Sequence, residues 1–412
     1  MEQKKQIKIL VVPSDRTGVG AFRSTTPHIA LETKYPDLFS VDIDYTPKLD
    51  NDKWLSQYDM IHYHRTLGPY EKMEELAVRL KKLGIVSIMD LDDYWSLPPH
   101  HPVYILIKNA NLDTKIKQNL KIAEHITTTT PIFAKEIAKI NKNVHVVPNA
   151  INTKEKQYQP NPEPSNGRLR IGWLGSSSHL KDLQLLEGLV SKLRSDKLLD
   201  KVQFVLCGFD TKGTHTDVDL ITKKETTRQI RPEETVWVKY EKIFTDNYTI
   251  VSPEYKEFLT KYTQGDFDAS NELYRRVWTK SITTYANNYN LFDVSLAPLH
   301  ENIFNEVKSQ LKVIEAGFHK KALIAQNFGP YQLDLTSALK YGGDIDLTAN
   351  AILIDSKRNH KGWYEAIKKL IQNPELVTAL QENLHETVKN TFSMDAVTDS
   401  RKNLYLKLIS GK

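Results

Sequence analysis

Lys308, Lys312 and Glu315 fall at i, i+4 and i+7 within the stretch Phe304–Ala316. Read as a helix, that spacing puts two ammonium groups and a carboxylate on one face. Lysine suits phosphate oxygens and a carboxylate suits sugar hydroxyls. Like charges at i, i+4 repel by tenths of a kcal/mol, and an anion held between them relieves the repulsion. The chemistry implied is a cradle for a nucleotide diphosphate-sugar near the start of a helix. Asn305 and Ser309 are weaker members of the set, since either could serve as a cap.

A second constellation is Ile171-Gly-Trp-Leu-Gly175-Ser176-Ser177-Ser178-His179-Leu-Lys181-Asp182. It reads as a strand, a glycine turn, hydroxyl residues and a helix. Its free backbone N–H groups, the three serines and Lys181 could face a phosphate. Taken alone, an ordinary turn capped by Ser177 or Ser178 explains it as well.

The first half of the chain supplies Gly18-Val-Gly20 and Arg23 after its first strand. This pair lacks the third glycine of a dinucleotide fingerprint, and no Lys-Ser/Thr follows to make a P-loop. Asp90-Leu-Asp92-Asp93 stands at the end of another strand. Clustered carboxylates there need cations or substrate hydroxyls nearby. Acceptor-hydroxyl binding is the favoured reading, with one aspartate polarising the nucleophilic hydroxyl. A divalent metal site and a helix cap are the alternatives, and the metal is discounted. His62 and His64 alternate onto one face, and His64 and Arg65 are placed at a cleft rim. Tyr274-Arg275-Arg276 would either add charge near phosphates or lie on a salt-bridged surface helix.

These residues need a scaffold, and apolar periodicity provides one. Strand-like runs at Ile7–Val12, Phe39–Tyr45, Met60–Tyr63, Ile85–Met89, His125–Thr129 and Val144–Val147 alternate with helical patterns. Among the helices, Lys108–Glu124 and Pro131–Ile140 stand out. The alternation predicts a parallel sheet covered on both faces. Prolines, glycine and polar residues crowd positions 157–167, as in a linker. The pattern then restarts with strand Leu169–Leu174, helix Leu180–Leu193 and strand Val202–Cys207, and later with Leu291–Pro298 and Ala322–Ala325. An irregular elaboration is expected at about 211–290, and helices run from Ile354 to the end. The fold class is therefore α/β, with two Rossmann-like doubly wound domains and a ligand cleft between the strands' carboxyl ends.

The stretch Asp293–Pro330 resembles the donor-site signature of GT-B glycosyltransferases related to family 4. Here it reads Asn305-x-x-Lys308-Ser309-x-x-Lys312-x-x-Glu315. Better-known members carry Glu-x7-Glu, and the first glutamate's position is Val307 in this chain. Gly-Ser-x-Ser-His-x-Lys-Asp at Gly175–Asp182 is similar to a subgroup of the same family. The resemblance implies a GT-B fold divided as 1–160 on the acceptor side, 161–390 on the nucleotide-sugar side, and 391–412 as a helix crossing back. It implies sugar transfer from a nucleotide diphosphate-sugar to a saccharide or glycoconjugate acceptor, with retention and no obligatory metal or other cofactor. Glu315 would grip the ribose, Lys181 and Lys312 would meet the leaving diphosphate, and Gly18, Gly20 and Arg23 would border acceptor and donor. Surface polysaccharide or glycoconjugate synthesis is the expected setting. An epimerase or hydrolase of the same fold, an idle nucleotide-sugar-binding protein and a phage-type nucleic-acid-modifying transferase remain as alternatives.

Composition sets outer bounds. The 412 residues suffice for two domains. A net charge of +5, from 56 basic and 51 acidic residues spread along the chain, gives no support to a nucleic-acid partner. The single cysteine, Cys207, permits no internal disulfide and fits a reducing compartment. The N-terminus enters a strand without a signal-peptide pattern, and no window has the apolar length to cross a bilayer. The expected location is the cytoplasm, with peripheral contact at the inner face of the membrane allowed.

Overall fold

The computed structural model describes residues 6–411 except 211–212, 219–221, 223–224, 232–233, 246–252, 254–271, 340–343, 356 and 358–359. Its first lobe holds a six-stranded parallel sheet of β1 (Ile7–Val12), β2 (Phe39–Ile43), β3 (Met60–His64), β4 (Val86–Leu91), β5 (His125–Thr128) and β6 (Val144–Val146). The order across the sheet is β2-β1-β3-β4-β5-β6. Alternation sorts its two faces, as pleating requires. Ile9 and Val11 pack with Leu31 and Phe39, while Leu10 packs with Leu76, Leu80 and Phe133 on the other side.

The second lobe repeats the plan. It uses β7 (Leu169–Leu174), β8 (Val202–Phe209), β11 (Tyr274–Trp278), β12 (Val294–Ala297), β13 (Ala322–Gln326) and β14 (Ile352–Ile354), with a separate antiparallel pair, β9 (Thr214–Val218) and β10 (Glu225–Gln229). The main sheet is ordered β11-β8-β7-β12-β13-β14 and all its neighbours run parallel. The order reverses direction between β7 and β12, so the loops following these two strands part there and leave a crevice.

Several expected helices are shorter or broken. Asn111 takes a left-handed conformation (φ 52°) and splits the Lys108–Glu124 expectation into Tyr104–Asn109 and Leu112–Ile122. Gly188 (φ 88°) does the same between Leu180–Leu183 and Leu189–Ser195. Tyr274–Trp278 is a strand, not a surface helix. Arg276, fully buried, meets Glu241 through Nε (2.5 Å) and Nη2 (2.6 Å), and Arg275 pairs with Glu163 at 2.7 Å. Both arginines are thus committed to carboxylates of the lobe itself. The rest of the 211–290 elaboration contributes helix Val236–Thr245, while 246–252 and 254–271 lie outside the described residues.

The chain passes between lobes twice. Around Ile151 it enters the second lobe's core together with Tyr158, so the proline-rich stretch begins against that lobe. It returns at Ser393, and the helix Met394–Ser410 lays Tyr405 and Leu408 into the first lobe's core, with Tyr405 Oη 2.8 Å from His28 Nε2. The two passages are adjacent: Ile151 N–H donates to Phe392 O (2.9 Å) and Met394 N–H to Ile151 O (2.8 Å).

Candidate functional site

A cavity of about 790 Å3 lies between the lobes, and most of the donor-side residues meet in it. Their local structure differs from the single expected helix. The segment folds as Ile303–Glu306 and Leu311–Phe318 with a turn between. Asn305 explains the break. Its Nδ2 donates to Asp182 Oδ1 (3.0 Å) and His300 O (2.7 Å), anchoring the first short helix to the helix Leu180–Leu183 and to the loop after β12. Asn305 is therefore a tether and does not line the cavity. Lys308 sits in the turn, not at i−4 of a continuous helix, yet it reaches the cavity with Ser309, Lys312 and Glu315.

Neither Lys308 nor Lys312 has a carboxylate within salt-bridge distance among the described residues. Lys308 Nζ lies 4.9 Å from the Phe304 ring centroid, and Lys312 Nζ lies 5.1 Å from that of Trp173 while donating to Leu174 O. Burial lowers the Lys312 pKa to about 8, with nearby Lys308 pushing the same way and Glu315 opposing. Glu315 is buried and accepts from Tyr285 Oη and from Tyr289 Oη (3.0 Å). Burial raises its carboxyl pKa despite those donors.

The serine loop divides. Gly175, Ser176 and His179 line the cavity; Ser177, Ser178 and the exposed Lys181 instead open onto a separate hollow of about 200 Å3 beside His100 and Pro102. Lys181 is thus displaced from the place expected of a group meeting the diphosphate. The His179 N–H donates to Tyr240 Oη at 2.9 Å, so that backbone donor is also taken. The His179 ring bonds Asp182 through Nδ1 (2.7 Å), and burial depresses its pKa to about 4. At the end of β8, Gly208 (φ 103°) lets the strand come against this loop, where a Cβ would stand 2.4 Å from Gly175 O.

On the first lobe the carboxylates have separate fates. Asp90 lies inside β4 and is fully buried. It takes Arg23 Nε (3.0 Å) and Nη2 (2.7 Å) and the Thr127 hydroxyl (2.7 Å). Arg23 spends its remaining nitrogen on Val147 O (2.8 Å) and Asn149 Oδ1 (3.0 Å). Although Arg23 borders the cavity, its guanidinium is already neutralised, which removes it as a receptor for an acceptor anion. Asp92 does face the cavity and accepts from His64 Nε2 at 2.9 Å, with Arg65 Nη2 at 3.6 Å. Burial would raise its pKa, but His64 and Arg65 outweigh that and hold it ionised. Asp93 lies outside the cavity wall, and burial beside Asp92 raises its pKa. His64 and Arg65 act behind Asp92 and do not line the cavity. Gly18 borders the cavity, whereas Gly20 makes room for Asp15, whose backbone O would stand 1.9 Å from a Cβ there.

Sequence reasoning missed Asn149, Lys280, Ser281, Tyr285 and Asn288, all of which line the cavity. The one legible signal was the tyrosine pair at 285 and 289, one helical turn apart. No metal-binding group of three or more His, Cys, Asp or Glu occurs among the described residues.

No family model matches the sequence, and no curated protein matches it. Solved structures do. Anabaena HepE in complex with UDP and glucose superposes with a TM-score of 0.58 at 12% identity, covering 98% of this chain and 100% of that one. A glycosyltransferase from Rickettsia africae gives 0.59 at 13%, covering 99% and 100%. The catalytic domain of starch synthase IV from Arabidopsis thaliana, bound to ADP and acarbose, gives 0.54 at 10%, covering 98% and 99%. The chain has the GT-B fold. In GT-B terms, the cavity occupies the gap between two facing doubly wound lobes, at the crevice where the second sheet reverses its order.

Proposed function

We propose that this protein is a glycosyltransferase that moves a sugar from a nucleotide diphosphate-sugar to an acceptor hydroxyl. The observation that carries the reading is one interlobe cavity lined by Lys308, Lys312 and Glu315 from one side and Asp92 from the other. As the family-4-like resemblance implies, transfer proceeds with retention and without an obligatory metal. The acceptor is a saccharide or glycoconjugate, the setting is surface polysaccharide or glycoconjugate synthesis, and the location is cytoplasmic. Residues 1–160 hold the acceptor, 161–390 the donor, and 391–412 tie back to the first lobe.

In the reaction the bond between the anomeric carbon and the diphosphate oxygen breaks, the acceptor oxygen bonds that carbon from the same face, and the acceptor's hydroxyl proton passes to the departing diphosphate oxygen. Negative charge grows on the leaving diphosphate, where Lys308 and Lys312 meet it inside a partly dehydrated site. Glu315, fixed by two tyrosines, takes the ribose hydroxyls. Ionised Asp92 accepts a hydrogen bond from the acceptor hydroxyl and so aligns it. Lobe closure keeps water from consuming the donor.

The test screens nucleotide sugars by thermal shift and then follows turnover of the best donor with and without chelator. Lys312→Ala and Glu315→Ala should each depress turnover, and chelation should leave it intact. Unchanged turnover in both variants would overturn the assignment.

A further inference from the structure

The stretch 157–167 has the composition of a linker, yet it is bonded along one element of the second lobe. That element is the 3-10 helix Tyr285–Leu291, which carries the two tyrosines that meet Glu315. At its start, Gln157 Nε2 donates to Ile282 O (3.1 Å) and Gln157 Oε1 accepts from the Ala286 N–H (3.4 Å). At its end, Asn290 accepts from the Asn161 N–H at Oδ1 (2.9 Å) and from the Glu163 N–H at its backbone O (3.0 Å). Gln157 and Tyr158 are both buried. Buried polar groups need partners, and these find theirs on a wall of the donor site.

Two routes run from this backing to Glu315. One is a chain of phenols. Tyr158 Oη lies 3.3 Å from Tyr285 Oη, and Tyr285 donates to Glu315 Oε1. A carboxylate only accepts and a phenol has a single proton. With the Tyr285 proton on Glu315, the Tyr158 hydroxyl is the donor between the two tyrosines. The other route is main chain: the His319 ring lies between Gln157 O (Nε2, 2.8 Å) and Glu315 O (Nδ1, 2.9 Å) and stacks on Tyr289 at 4.9 Å.

An ionised carboxylate has about four acceptor positions. Tyr285 takes one on Oε1 and Tyr289 one on Oε2, which leaves one on each oxygen for the vicinal hydroxyls of a ribose. Tyr285 and Glu315 line the main cavity. Tyr158 instead lines a hollow of about 200 Å3 behind it, and Phe22 and Ile282 border both.

We propose that Tyr158, in the interlobe linker, is a positioning residue for the nucleotide's ribose, acting through Tyr285 on Glu315 without touching the ligand. By occupying a lone pair of Tyr285 it leaves that O–H one direction, toward Glu315, and so fixes where the two open acceptor positions point. The ligand at Glu315 rests on the transferase reading. Loss of the Tyr158 hydroxyl weakens what the ribose hydroxyls contribute and spares the contacts of Lys308 and Lys312 with the diphosphate.

Calorimetric titration with UDP, ADP and GDP selects the diphosphate that binds, and its 2′-deoxy counterpart gives a ribo-to-deoxy affinity ratio. The parent should favour the ribonucleotide by about ten-fold or more. Tyr158→Phe should cut that ratio by at least about three-fold, with little change in affinity for the deoxynucleotide. Tyr285→Phe should cut it as much or more, and the double variant no further than Tyr285→Phe, since both act on one carboxylate. The ratio is taken within one protein, so a change in stability does not enter it. A ratio that Tyr158→Phe leaves unchanged would overturn the proposal and leave the transferase standing. So would a parent that binds both sugars alike, or a variant that weakens both equally, as a merely structural role would. A chain that binds none of the three diphosphates would overturn both readings.

Discussion

The two lobes share one architecture and treat their charges in opposite ways. In the first, the cation at the cleft is consumed: Arg23 is locked onto Asp90, Val147 O and Asn149, and Asp92 is held by His64. In the second, Lys308 and Lys312 face the same cavity with no carboxylate partner among the described residues. Saturated charges rigidify a wall, whereas unsaturated ones wait for a ligand. Cations bordering one cavity therefore do different work, and only their partners tell them apart.

That contrast is open to direct attack. The largest effect should come from the saturated side. Arg23→Ala leaves Asp90 buried and unpaired, and should cost about 3–5 kcal/mol in denaturant unfolding. Replacing both partners by apolar residues should recover most of it. A variant that keeps its stability but loses turnover would move Arg23 from wall to ligand site.

On the unsaturated side, Lys312→Ala should lower kcat by about 10²–10³-fold without loss of melting temperature, because it removes a buried cation that no carboxylate among the described residues neutralises. The third test uses pH. Lys312 titrates near 8 in the folded chain against 10.5 for an ordinary lysine. Between those values the unfolded chain binds the extra proton, so this group makes the free protein more stable as pH rises through that window. Donor affinity, which needs the charged form, should fall over the same rise. Calorimetric titration and thermal melts across pH 7–10 would reveal whether the two trends oppose. Smallest should be Lys181→Ala. Its side chain is exposed and faces the separate hollow, so donor kinetics should shift by no more than about two-fold.

Much of the scaffold could be read from the sequence, because apolar alternation is a local property. Ile7–Val12 and Leu169–Leu174 fall where the pattern put them. The donor-side cluster was legible as a set of residue types, but its backbone was not. Nothing between Asn305 and Leu311 is a glycine or proline, and the break comes from Asn305 reaching Asp182, a contact 123 positions away. The Arg23–Asp90 pair spans 67 positions and disguised a structural carboxylate as a functional one. Arg276 was misread for a related reason. Two adjacent arginines look like a phosphate contact or a surface helix until Glu241, 35 positions earlier, buries one of them within a strand.

The double passage between lobes, at Ile151 and at Phe392–Met394, has a mechanical consequence. Two segments of the chain crossing side by side and bonded to each other resist shear and twist far better than a single tether would. What they leave free is chiefly a swing about their shared line. The lobes should open and shut as a book does on its spine, with the widest travel at the edge opposite those crossings.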